Sequence, residues 1–459
     1  MINDYNLVII GNTSIGRYAG IKAVNQGGRV ALVLPPENNW ITTGYLYNQV
    51  LNHLQIKTSN LREIKQQADA VINNYFVYNN NDILASLGID IISGEGKFLK
   101  EQKLGFLVND RILTSKSYLI ATGSYSPVPE IEGIKETNFL TPENIWLKLT
   151  GEKLAENWVV IGGNPRAIEL TQTLINLGVK NISLIIKENH ILGEEEPEAG
   201  LLIQAYLESQ GVTIFTQTEV KQIKQINQEK WVLIGNKALE TEEILICTDP
   251  QVNIQDLNLE NVGVKFNQKG IDINDKMQTS NPNIYACGDV ISPYQLAHIS
   301  QYQAEIAVKN ALFFPIHKID QKGIGYTIFS EPELGRVGLT ENKARKLYGE
   351  KILILKAYFK TIPLGIMSDN RGFVQIIVLE NGEILGGTMV GKNVSEMMLI
   401  LSLAIREKIS IKKLGEYPLI SPSYGEIFSK IGLEYEREIM NKNKMLRNML
   451  QRFFNWRRK

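Results

Sequence analysis

Cysteine is nearly missing from this chain of 459 residues: Cys247 and Cys287 are its two, forty positions apart. That excludes a disulfide-rich secreted scaffold and a local thiol pair of the CxxC or CxxxxC kind. Long apolar runs are missing too. The longest, residues 397–405, is interrupted by Ser402 and falls far short of the roughly 20 residues that span a bilayer. The opening MINDYNLVIIG has no basic segment ahead of an apolar stretch and cleavage site. No signal peptide is therefore expected, and a soluble cytoplasmic protein is. Net charge is also missing, because 49 Lys+Arg balance 49 Asp+Glu. A chain-wide basic character of the nucleic-acid-binding kind is excluded. The four histidines (His53, His190, His298, His317) show no metal-ligand spacing, and no Ser-His-Asp arrangement can be read from the chain.

What is present is ordinary globular composition, 44% hydrophobic and 21% charged, in a length that suits about three domains. Residues 6–10 (NLVII) form a β-branched run without alternation, as a parallel strand buried on both faces requires. A turn at 11–16 (GNTSIG), a helical stretch closed by Gly27-Gly28, and a second buried run at 29–34 (RVALVL) complete a βαβ unit. This is the shape that binds a dinucleotide. The pattern returns about 150 residues later as WVVI at 158–161, a turn at 162–167 (GGNPRA), a helical stretch ending at Gly178, and ISLII at 182–186. Each unit is followed by an apolar strand with a small polar ending, YLIATGS at 118–124 and ILICTDP at 244–250. Two nucleotide-type domains are implied. Beyond residue 326 the texture changes. FVQIIVL at 373–379 and ILGGTMV at 384–390 flank Asn381-Gly382, the signature of an antiparallel hairpin.

The order of these motifs resembles the FAD/NAD(P)-dependent pyridine nucleotide-disulfide oxidoreductases, the family of dihydrolipoamide dehydrogenase, glutathione reductase and mercuric reductase. The landmarks are the first glycine turn, ATGS at 121–124, the second turn from Gly162, ACGD at 286–289, QLAH at 295–298, FSEPELGRVGLTE at 329–341 and SPSYGE at 421–426. The resemblance implies an α/β fold of two Rossmann-like domains plus a C-terminal α+β dimerisation domain. It implies an FAD domain made of 1–148 and 272–318, an NAD(P)-binding-like domain at 149–271, a dimerisation domain at 319–436, and a C2 homodimer. Gly11, Gly16, Ala121, Thr122, Gly123, Gly288, Asp289, Ala297 and His298 are the residues it implies for FAD. Asp289 would meet the ribityl chain, and the helix entered at 296–298 would aim N–H groups at the flavin. Gly162, Gly163, Ala167 and Glu169 are those it implies for NAD(P)H.

The chain also departs from the family. Thr13 stands at the second glycine of the first turn, where it is expected to crowd the diphosphate. Leu34 falls where an acid would bind the adenosine ribose, with Glu37 as a substitute. In the second turn Asn164 takes the middle glycine. Ile185 or Ile186 replaces the strand-end acid, followed by Lys187, which is read as a solvated strand-end charge or a contact for a 2′-phosphate. Asp249 replaces a glycine of the closing turn. The family's CxxxxC segment is NNWITTGYLYNQ at 38–49, without a thiol, so no thiolate can attack a disulfide. Ser421 stands where the family's acid-base histidine would be, and Glu426 is left as a structural or interface carboxylate. Cys247 and Cys287 read as small buried hydrophobes in apolar strands.

The last 23 residues, 437–459, hold eight basic residues against Glu438 alone, a net +7 that leaves −7 for the rest. Ile439, Leu446, Met449, Leu450, Phe453 and Trp456 recur there at helical spacing. A basic amphipathic helix of this kind suits a membrane surface, packing on the protein or its dimer mate, or contact with nucleic acid or an acidic partner protein. Two functions are compatible with all of this. One is a flavoprotein oxidoreductase that passes hydride from NAD(P)H via FAD to a small-molecule acceptor other than a disulfide, a quinone being one class. The other is a non-catalytic dimeric relative with lapsed nucleotide sites, serving as an interaction or membrane-associated scaffold.

Overall fold

A computed structural model describes residues 3–35, 40–54, 60–76, 80–100, 103–149, 153–227, 229–292 and 296–458. The chain divides into two compact units, residues 1–187 with 211–320, and residues 188–210 with 321–459. Among the described residues no helix is long and apolar enough to cross a membrane.

The first unit is built on the apolar runs read from the sequence. β1 (Tyr5–Ile10) and β2 (Val30–Leu34) are parallel neighbours joined by α1 (Ser14–Asn25). β2 continues to β3 (Ile89–Ser93), and β1 also pairs with the C-terminal half of β6 (Arg111–Ile120). The strand Ile284–Ala286 lies parallel on the far side of β6. β4 (Gly96–Lys100) and β5 (Leu104–Val108) fold back antiparallel onto the first half of β6. A second parallel sheet runs in the order Thr213–Phe215, Asn181–Ile185, Asn157–Ile161, Glu243–Ile246. That repeats the order β3-β2-β1-β6, and a three-stranded antiparallel sheet (220–241) again intervenes before the last strand. Strands covered on both faces need continuous rather than alternating apolar residues. β2 and residues 158–160 are buried throughout.

The helices after the first strand of each repeat also end alike. Gly27 and Gly178 adopt positive φ, and their N–H groups bond back to Val24 O and Ile175 O, with Gly28 N reaching Ala23 O and Val179 N reaching Leu174 O. This is the left-handed helix ending that glycine alone adopts without cost. Both domain signatures are thus copied in detail from one repeat to the other.

The second unit carries a five-stranded antiparallel sheet in the order Gly325–Ile328, Glu333–Gly338, Ile384–Gly391, Phe373–Leu379, Ile352–Tyr358. The Asn-Gly hairpin read from the sequence is there, with Gly382 at φ +85°. Helices Val394–Arg406 and Ile427–Lys442 cover the sheet through Val394, Met398, Leu401, Phe428 and Ile431. Residues 437–442 complete the second of these helices, and the helix Lys444–Arg457 follows a break at Asn443.

Candidate functional site

At the first glycine turn the backbone of β1 runs against the end of β6. A Cβ on Gly11, at φ +136°, would lie 2.2 Å from Ala121 O, and one on Gly16 would lie 2.6 Å from Gly11 O. Only glycine permits that approach. Thr13 is the N-cap of α1, its Oγ1 accepting from Gly16 N at 3.0 Å and donating to Ala121 O at 2.8 Å. Its hydroxyl is thus directed to Gly16 and Ala121, inside the turn. The consequence is that Gly16 N–H is occupied, leaving Ser14 and Ile15 to offer first-turn N–H groups to a ligand. Gly123, at φ +77°, passes close to the Thr13 methyl, and Thr122 Oγ1 donates to Asn253 O at 2.5 Å. Leu34 is buried in the apolar core at the end of β2, opposite Ser93. Glu37, the substitute acid, lies outside the described residues.

The strand Ile284–Ala286 delivers Gly288 and Asp289 to the same end of the sheet. Gly288 has φ +77°, and its N–H donates to the buried Gln303 Oε1 at 2.9 Å. Asp289 Oδ2 accepts from Ser124 Oγ at 2.9 Å and lies 3.4 Å from the Arg166 guanidinium. Burial raises the Asp289 carboxyl to about pH 6, with Arg166 and Ser124 working in the opposite direction. Glu143 stands on the other side of the guanidinium, 3.8 Å from Arg166 Nη1, and accepts from Ser126 Oγ at 2.7 Å. A buried carboxylate with so few donors retains acceptor capacity for hydroxyl groups, which fits a polyol chain. The helix Ala297–Leu312 starts next to this turn, with Ala297 and His298 exposed in its first turn and no side chain capping its N-terminus from Leu296. Gln295 of the QLAH landmark lies outside the described residues.

The second turn repeats the first. A Cβ on Gly162, at φ +130°, would lie 2.0 Å from Cys247 O. Asn164 is the N-cap of the helix Pro165–Asn176, accepting from Ala167 N at 3.0 Å and donating to Cys247 O at 2.8 Å. The same two bonds, to the third residue onward and to the end of the neighbouring strand, are made by Thr13. Here, however, Pro165 brings no N–H, so Arg166 alone has a free-standing first-turn N–H by position. The second turn is therefore poorer in diphosphate donors than the first. Asp249 lies 3.5 Å from Asn164 Nδ2. Ile185 and Ile186 are buried, and Lys187 forms an exposed ion pair with Glu219 at 3.1 Å.

Glu169 lies one turn further along this helix, 4% exposed, and accepts from Gln49 Nε2 at 3.0 Å. Gln49 belongs to α2 (Trp40–His53), the segment where a redox disulfide would be carried. Thr173 Oγ1, another turn on, lies 2.6 Å from Asn48 Oδ1. Residues 38 and 39 of that segment lie outside the described residues. Cys247 and Cys287 each sit one residue past a strand rather than within it, 0% and 1% exposed. Burial pushes the Cys287 thiol up to about 12 and Cys247 higher still. In the second unit Glu426 accepts from Ser423 N at 3.1 Å, so it closes its own turn.

The geometry therefore gathers Gly11, Gly16, Ala121, Thr122, Gly123, Gly288 and Asp289 at one sheet end. It places Gly162, Gly163, Ala167 and Glu169 at the other, with Arg166 spanning to Asp289. Sequence reading missed Arg166, Glu143, Ser124 and Gln49. A cation in the first turn of a nucleotide-type helix was the available signal for Arg166 and the ATGS landmark that for Ser124, while Glu143 and Gln49 carry none.

A model of the pyridine nucleotide-disulphide oxidoreductase family matches residues 5–304, and a model of that family's dimerisation domain matches residues 324–431. The chain is 29% identical over 441 residues to a mercuric reductase of Staphylococcus aureus, covering 90% of this chain and 79% of that one. It is 26% identical over 472 residues to a dihydrolipoyl dehydrogenase of Bacillus subtilis (strain 168), covering 93% and 99%. Among solved structures it resembles the Cu(II) complex of the HOCl-induced flavoprotein disulfide reductase RclA from Escherichia coli, with a TM-score of 0.82 at 24% identity over 94% of this chain and 99% of that one, a likeness of fold.

Proposed function

The chain belongs to the pyridine nucleotide-disulphide oxidoreductase family, and from that premise we propose that it passes hydride from NAD(P)H by way of FAD to an acceptor that is not a disulfide. Members of the family use FAD and NAD(P)H. The observation that carries the finer reading is the state of the two thiols. Both are buried, both are held protonated, and they stand forty positions apart. A disulfide acceptor needs an accessible thiolate. A quinone or another small electron carrier needs none.

FAD, where bound, supplies hydride acceptance and electron release. In this reading Gly11, Gly16 and the first turn of α1 hold its diphosphate, Asp289 and Ser124 its sugar chain, and Ala121, Thr122, Gly123, Gly288, Ala297 and His298 line the approach. Gly162, Gly163, Ala167 and Glu169 receive the nicotinamide dinucleotide. In this reading the enzyme works in the cytoplasm as a homodimer.

The test is spectroscopic. The purified protein is expected to show a flavin absorption band that NADH or NADPH bleaches without oxygen and that a soluble quinone restores. A C247A/C287A variant is expected to do the same, and neither thiol of the native protein is expected to react with a maleimide. Colourless protein that takes up no added FAD would favour the scaffold reading. Turnover of lipoamide or glutathione disulfide by the native chain, lost in C247A/C287A, would overturn the choice of acceptor.

A further inference from the structure

The helix Lys444–Arg457 leaves an apolar face uncovered. Met445, Met449, Phe453, Phe454 and Trp456 are 45–84% exposed. Met445, Met449, Phe453 and Trp456 stand at positions i, i+4, i+8 and i+11, within about 80° of arc on an α-helix. Phe453 meets Phe454 edge to face and Trp456 at a tilt, at 5.6 and 6.0 Å between ring centres, so the aromatic residues form one surface. Arg447, Asn448, Gln451, Arg452 and Asn455 fall on the adjoining polar arc, and Phe454 stands about 180° from Met445. From residue 439 to 459 there are seven cations and no acid.

The placement of the helix is equally informative. The preceding helix Ile427–Lys442 is fixed in the core of its unit by Ile427, Phe428, Ile431 and Tyr435. Lys442 Nζ adds an ion pair to Glu380 at 2.9 Å. The backbone then leaves helical geometry at Asn443, φ −99° and ψ 78°, and the amphipathic helix begins afresh from a rigid base.

We propose that this helix binds an anionic lipid surface, lying in the interface with its Met/Phe/Trp face in the acyl boundary and its arginines among the headgroups. Charge complementarity selects that occupant. A second copy of the same helix would bring two strongly cationic segments together, whereas an anionic leaflet neutralises them and accepts the aromatic side chains. Nucleic acid would use the cations and leave the apolar face in water. The proposal does not rest on the oxidoreductase reading.

The experiment is flotation of the full chain with vesicles of equal parts phosphatidylglycerol and phosphatidylcholine, and with phosphatidylcholine alone. The wild-type chain is expected to float with the anionic vesicles and to detach in high salt. The R447Q/R452Q variant is expected to bind them about thirtyfold more weakly, equivalent to about 1 kcal/mol per arginine. The F453Q/W456Q variant is expected to lose a hundredfold or more. These residues face solvent, and the variants are expected to keep the wild-type circular dichroism spectrum. Brominated lipid is expected to quench part of the tryptophan fluorescence of the wild type and none of that part in W456F, although Trp40, Trp146, Trp158 and Trp231 remain. Equal flotation of wild type and F453Q/W456Q overturns the proposal. So does self-association that F453Q/W456Q abolishes while no vesicle binds. Capture of a polyanionic nucleic acid that F453Q/W456Q leaves unchanged, with no flotation, overturns it as well.

Discussion

At the scale of single residues, Asp289 carries the sharpest consequence. Its folded carboxyl is raised from 3.8 to about 6 because the surroundings withhold water from the charge. A carboxyl raised on folding binds its proton more tightly in the native state. Its contribution to stability is therefore complete below about pH 4 and is lost as pH rises through about 6. Unfolding of flavin-free wild type and D289N, followed from pH 4 to 7, is expected to show the wild type losing up to about 2–3 kcal/mol relative to the variant. Parallel curves would mean that the carboxylate is solvated or fully paired. The position of Asp289 could be read from the ACGD landmark, but its charge environment could not. Ser124 follows from the ATGS landmark next to it, while Arg166 and Glu143 come from segments distant in sequence, and only the fold brings the four together.

At the scale of elements, the two glycine turns show how far a local pattern carries and where it stops. Their position, the helices that follow and the glycine endings at 27 and 178 were all legible, because each rests on a short-range rule of φ or of capping. The orientation of Thr13 was not. Sequence reading treats a β-branched residue at a glycine position as bulk, whereas the hydroxyl finds two partners and the side chain folds inward. Asn164 does the same with an amide, so two unlike residues serve one geometric purpose. Each ties up one N–H that a diphosphate would otherwise meet. T13G is accordingly expected to tighten FAD, and N164G to lower the KM for the nicotinamide dinucleotide, each about tenfold, for about one hydrogen bond to a charged group. The cost in stability is a few tenths of a kcal/mol, since glycine is a tolerated N-cap. Titration calorimetry of the first and steady-state kinetics of the second decide it. Unchanged values would place the phosphates away from Gly16 and Ala167.

At the scale of the whole molecule, the neutral total charge conceals a body of −7 and a tail of +7, and the apolar surface is just as unevenly placed. On the helix Val394–Arg406 one face is sealed by Val394, Met397, Met398 and Leu401, while Leu399, Ile400 and Leu403 face solvent at 67, 41 and 57% exposure. Tyr417 and Ile420 are exposed in the same unit. A single chain gains nothing from such a patch, and apolar surface concentrated in this way marks an interface. The match of residues 324–431 to the family's dimerisation domain names the occupant as a second copy, and a two-fold axis would bring the same face of each subunit together. A charge placed there is then desolvated only in the dimer. L399E/L403E is expected to sediment at the monomer mass while its thermal unfolding, run at high dilution, stays near that of the wild type. A wild type that is already monomeric, or a variant that remains dimeric, would move the interface elsewhere on the unit.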